Sequence, residues 1–146
     1  MEKLKEREHD FGSKLRQDAT LQRLRDYIQW QRTCSIDGSG RSLPMSSPIS
    51  INLDLTSACN FSCPFCVDSK LINAGKNMAL GEVKKTIDTL RSHGLLSVIL
   101  IGGGEPTLHP DFGEIVRYVK SRGLQIGIVT NGSRLEKVET IVEELK

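Results

Sequence analysis

Three cysteines, Cys59, Cys63 and Cys66, fall within eight residues of a 146-residue chain, in the spacing C-x3-C-x2-C. Thiolates are nucleophiles and soft metal ligands. Three of them on one short loop can converge on a single inorganic centre. They cannot saturate a four-iron cluster, and they do not fill a structural zinc site, which takes four protein ligands. An open coordination position is what a catalytic centre requires. The nearest further ligand is Asp68; His93 and His109 are distant in sequence. Three readings therefore stay open: an iron–sulfur centre, a zinc site, or a redox dithiol at Cys63-Pro64-Phe65-Cys66. The dithiol leaves Cys59 without a role, and zinc lacks an obvious fourth ligand. Cys34 stands outside the cluster and reads as a free thiol.

A second unusual segment is Gly102-Gly103-Gly104-Glu105-Pro106. Consecutive glycines let a ligand approach the backbone and permit dihedrals closed to other residues. A carboxylate beside them pairs naturally with a cation. The spacing is not that of a dinucleotide fingerprint, because G-x-G-x-x-G is absent. A flexible strand–helix turn is the plainer reading of this segment alone. A third segment, Thr130-Asn131-Gly132, carries ordinary turn chemistry or a further polar contact. Phe65 is either a core aromatic or a stacking surface for a planar ligand, and His109 reads as a loop or helix-start residue.

The elements that must hold these segments are legible from periodicity. Ile49, Ile51, Leu53 and Leu55 alternate with Ser50, Asn52, Asp54 and Thr56, the pattern of a strand with one apolar face. Asn52 and Asp54 then either point into a site or line a solvated face. Val83, Ile87 and Leu90 predict a helix that Gly94 ends. Residues 95–101 are apolar on both faces, as in a fully covered parallel strand. Phe112, Ile115, Val116 and Val119 predict a helix from about Pro110–Asp111 to Gly123. A third strand is expected over 124–129. A third helix follows with the stripe Leu135, Val138, Ile141, Val142 and Leu145, opened by a capping box at Ser133 and Glu136. Strands alternating with helices imply an α/β fold with a parallel sheet. Ligands bind such sheets beyond the C-terminal ends of the strands. The cysteine loop, the glycine run and Thr130-Asn131-Gly132 each follow a strand, so all three should meet on one side.

Together these segments resemble the radical S-adenosylmethionine superfamily. The C-x3-C-x2-C loop after a first strand, with Phe65 before the last cysteine, resembles its signature, and Gly103-Gly104-Glu105 resembles its Gly-Gly-Glu motif. The resemblance implies a [4Fe–4S] cluster on Cys59, Cys63 and Cys66. It implies S-adenosyl-L-methionine held by Phe65, Gly102, Gly103, Gly104, Glu105 and Asn131. It also implies reductive cleavage of that cofactor to a 5′-deoxyadenosyl radical, which abstracts hydrogen from a substrate. The string GGGEPTLHPDF and the later TNG resemble members that modify peptides or assemble cofactors. The substrate is then a peptide or small molecule, and a one-electron reductant is required. A non-catalytic metal-binding or interaction module is the competing class.

The resemblance covers residues 49–146 and implies the first three strand–helix units of a partial (β/α)6 TIM-like barrel. Residues 1–48 are read as an N-terminal extension: a charged tail over 1–13, a helix over 14–32 with the stripe Leu21, Leu24 and Ile28, and a Ser/Gly/Pro-rich linker over 35–48. The expectation is a fragment of a longer core domain that associates through an open sheet edge. Lys and Arg number 20 against 18 Asp and Glu, a near balance that argues against a dedicated nucleic-acid binder. No apolar run reaches the ~18 residues of a membrane span. The charged N-terminus does not read as a secretory signal, which leaves the cytoplasm as the expected compartment.

Overall fold

A computed structural model describes residues 17–36 and 48–144. The expected tail, most of the linker, the side chain of Cys34 and Leu145 lie outside the described residues. The chain divides between Met45 and Ser46 into two compact units. In the first, α1 runs Asp18–Ile36. Gln22 bonds Asp26 and Gln31 bonds Tyr27, pairs four residues apart that share a helix face.

The second unit follows the alternation of its sequence. Its order is β1 (Ser50–Asp54), α2 (Leu80–Ser92), β2 (Ser97–Ile101), α3 (Phe112–Ser121), β3 (Gln125–Ile128) and α4 (Leu135–Glu144), with a 3-10 turn at Pro106–Leu108. The strands form one parallel sheet in the order β1-β2-β3. Leu53 lies beside Leu100, and Leu100 beside Ile128, so these side chains share a face. That face is the core. Leu53, Val98 and Leu100 pack in one cluster with Val83 and Ile87 of α2, with Phe112, Ile115, Val116 and Val119 of α3, and with Ile141 of α4. Helices α2 and α3 stop just before Gly94 and Gly123, as their sequence placement predicts.

The opposite face differs from expectation. The sequence of β2 predicts cover on both sides, yet among the described residues Ile99 and Ile101 are only half-buried while Val98 and Leu100 are fully buried. The described helices of this unit contribute their apolar residues to one face. The other carries Asn52, Ile99 and Gly127 in one row and Asp54 beside Ile101 in the next. An open three-stranded parallel sheet with helices on one side has the architecture of a partial barrel, in which this second face would line the interior.

One expected local detail changes. Helix α4 begins at Leu135, two residues beyond Ser133. The Ser133 hydroxyl accepts from Asn60 Nδ2 at 2.9 Å, so it serves the cysteine loop.

Candidate functional site

The three segments do meet beyond the C-terminal ends of the strands. The cysteine loop leaves β1 through Leu55–Ala58 and is closed at its neck by the returning chain. Thr56 pairs with Asn77 in an antiparallel bridge, Ser57 N donates to Lys76 O, and Met78 N donates to Leu55 O. Asn73, with φ 59°, turns its side-chain oxygen toward Cys59 N at 2.9 Å. Asn is one of the few non-glycine residues that adopt this left-handed conformation readily.

The glycine run abuts that neck. Glu105 N donates to Ala58 O at 2.8 Å, directly before the first cysteine. A Cβ on Gly104 would stand 2.2 Å from the same oxygen, so no other residue fits. Gly102 has φ 154°, and a Cβ there would meet Asp54 Oδ1 at 3.0 Å. Gly103 differs, because a Cβ on it would meet nothing within 4 Å. Its backbone faces a cavity of about 330 Å³ that Asp54, Thr56, Lys76 and Met78 also line. Asp54, at the end of β1, is exposed and lines this cavity.

Glu105 ties β2 to β3. It is 2% exposed. Its Oε1 accepts from Thr107 N at 3.0 Å, Thr107 Oγ1 at 2.6 Å and Thr130 Oγ1 at 2.7 Å. Its Oε2 accepts from Asn131 N at 2.7 Å. Burial pushes this carboxyl up. Hydrogen bonds from Thr107, Asn131 and Thr130 outweigh that effect and hold it below the ordinary carboxylate range. The group is an anion at neutral pH.

Asn131 joins the third segment to the first. Its Nδ2 donates to Asn60 Oδ1 at 3.0 Å, and its Oδ1 accepts from Ser133 N at 2.9 Å. No motif in the sequence marks Asn60 or Thr107 as partners in this network. The turn signature at Asn131-Gly132 marked one end of this contact, but no local pattern marks the other.

Cys59, Cys63 and Cys66 are free thiols of intermediate exposure. Cys66 N donates to Cys63 O at 3.1 Å, and Phe61 N reaches Cys59 Sγ at 3.5 Å. Among the described residues no three His, Cys, Asp or Glu side chains already stand together as a metal-binding group. Phe65 is 84% exposed among the described residues. His109 is buried and structural. Its Nδ1 accepts from Asp111 N at 3.1 Å, so Nε2 carries the proton and donates to Met78 O at 3.0 Å.

A family model described as the radical SAM superfamily matches residues 53–146, the segment that supplies all of this geometry. The chain belongs to the radical SAM superfamily. It is 37% identical over 95 residues to an S-adenosylmethionine-dependent nucleotide dehydratase of Selenomonas ruminantium, covering 65% of this chain and 34% of the relative. It is 39% identical over 84 residues to a tungsten-containing aldehyde ferredoxin oxidoreductase cofactor-modifying protein of Pyrococcus furiosus, covering 57% and 24%. It is 35% identical over 91 residues to a mycofactocin maturase of Mycobacterium tuberculosis, covering 62% and 23%. This radical SAM chain thus spans about a third or less of the length of these relatives. Among the described residues no helix is long and apolar enough to cross a membrane.

Proposed function

We propose that this chain carries the cluster-binding and cofactor-binding part of a radical SAM enzyme, with a [4Fe–4S] cluster on Cys59, Cys63 and Cys66 and S-adenosyl-L-methionine beside it. The observation that carries the reading is the contact of Gly104 and Glu105 with Ala58. It sets the backbone of the glycine run directly against the start of the cysteine loop.

The donor set fits. Three free, partly exposed thiols suit iron, and three ligands leave the fourth iron open. When bound, the reduced cluster supplies one electron that splits a carbon–sulfur bond of S-adenosylmethionine, giving methionine and a 5′-deoxyadenosyl radical that takes hydrogen from a substrate.

The chain's own residues bind and orient. Gly103 offers unobstructed backbone to the cofactor's amino-acid end. Glu105 supplies negative charge beneath that backbone for the ammonium, while its buried carboxylate holds Thr107, Thr130 and Asn131 in place. Gly102 leaves room for Asp54. Phe65, exposed beside Cys66, supplies a ring face for the adenine, and Asn131 keeps one amide hydrogen for the cofactor. The substrate is a peptide or small molecule, consistent with relatives named as a nucleotide dehydratase, a cofactor-modifying protein and a mycofactocin maturase. A one-electron reductant is the required partner, and a reducing cytoplasm suits the free thiols.

Anaerobic reconstitution with iron and sulfide should give a broad visible absorption. Adding S-adenosylmethionine and reductant should then release 5′-deoxyadenosine. Cys63→Ala should abolish both signals. Iron uptake without 5′-deoxyadenosine would favour a metal-binding module instead. No iron uptake would overturn the assignment.

A further inference from the structure

Among the described residues, the hydrogen bonds that run from residues 60–72 of the cysteine loop to the body beyond its neck are those of the Asn60 side chain. Residues 61–72 make their backbone bonds inside the loop. Cys66 N bonds Cys63 O, Ser69 N bonds Cys66 O, and Leu71 N and Ile72 N both bond Asp68 O. Asn60 is different. Its Oδ1 accepts from Asn131 Nδ2 at 3.0 Å and its Nδ2 donates to Ser133 Oγ at 2.9 Å, spanning 71 and 73 residues of sequence. Asn131 is itself fixed by its own backbone N–H to Glu105 Oε2. An amide that donates and accepts at once sets both the position and the direction of the loop beside it.

We propose that Asn60 is a positioning residue that latches the cysteine loop to the end of β3 and thereby tunes the iron–sulfur centre. The proposal rests on the cluster assignment above. The peptide that follows Asn60 supplies Phe61 N, the group that points at Cys59 Sγ. A hydrogen bond to a ligating sulfur stabilises the more reduced, more negative cluster and raises its potential. Holding Asn60 holds that donor on the sulfur. The latch also couples the loop to Glu105 through Asn131, so the cluster side and the cofactor side keep one register.

Two variants test this. Asn60→Ala removes both bonds. Ser133→Ala removes only the acceptor of Asn60 Nδ2 and lies at an exposed position where folding is not at risk. Hydrogen–deuterium exchange on the metal-free chain should show faster exchange at residues 59–62 and 131–133 in both, more strongly in Asn60→Ala. After reconstitution both should retain iron, and the midpoint potential should move negative in the same order. A purely structural role elsewhere would lower the melting temperature without moving the potential. Wild-type exchange in both variants overturns the latch, whether or not iron binds. Altered exchange with a wild-type potential overturns the tuning. A wild-type chain that takes up no iron overturns the cluster assignment instead, while the exchange data still decide the latch.

Discussion

The α-carbon of Gly104 lies so close to Ala58 that a Cβ there would stand 2.2 Å from the Ala58 carbonyl oxygen. This contact joins the end of β2 to the neck of the cysteine loop, backbone against backbone. Neither side can yield by rotating a side chain. Gly104→Ala must therefore separate the two segments or distort them. The expected loss is about 2 kcal/mol of unfolding free energy, in the range of overpacking changes. Gly103→Ala, whose Cβ meets open space, should change stability by less than about 0.5 kcal/mol. It should nevertheless weaken S-adenosylmethionine binding, because it fills the approach to the backbone. Denaturant melts and equilibrium dialysis separate the two effects; equal destabilisation by both variants would contradict the contact.

Glu105 is the node between β2 and β3, and its charge matters as much as its shape. Glu105→Gln keeps the size but replaces a carboxylate oxygen by an NH2 that faces donors. The expected cost is about 2 kcal/mol, as for hydrogen bonds to charged groups. The folded carboxyl lies below its ordinary 4.5. The unfolded state therefore takes up the proton first as pH falls. The stabilisation from this group is complete above the ordinary range and is lost as pH drops through the lower, folded value. Urea midpoints taken from pH 7 down to pH 3 should fall less steeply for Glu105→Gln than for wild type.

Phe65 offers a test of ligand contact free of folding effects. At 84% exposure it contributes little to the core, and Phe65→Ala should shift stability by less than about 0.5 kcal/mol. Loss of an aromatic contact with adenine should weaken S-adenosylmethionine binding about five- to tenfold, corresponding to roughly 1 kcal/mol. Unchanged affinity in the reconstituted protein would remove Phe65 from the site.

His109 predicts the reverse pattern. It bridges Met78 O, next to the neck strand, and Asp111 N, at the start of α3. His109→Leu leaves both backbone groups without their partner in a buried place. A loss of about 2 kcal/mol is expected, with iron content per folded molecule unchanged. Loss of iron from a protein that is still fully folded would show a role beyond bracing.

Much of the second unit was legible because its signals are local. Val83, Ile87 and Leu90 repeat at helical spacing, Gly94 and Gly123 mark the ends of helices, and Ile51 and Leu53 alternate with polar residues. The placement of the cysteine loop, the glycine run and Thr130-Asn131-Gly132 on one side also followed, since parallel strands deliver their ends to the same edge. The half-open face of β2 was not legible. Ile99 and Ile101 look as apolar as Val98 and Leu100, and which pair the helices cover depends on strand register and curvature.

The sequence by itself determined the chemistry available: three thiols within eight residues, glycines that free a backbone, and a carboxylate beside them. Residue type and short spacing carry that information directly. Only the tertiary structure decided how these parts hold one another. Glu105 finds Asn131 across 26 residues, and Asn60 finds Asn131 across 71. Contacts of that range leave no periodic trace in a chain. They exist because two crossover connections bring β1, β2 and β3 side by side and present their ends within hydrogen-bonding distance.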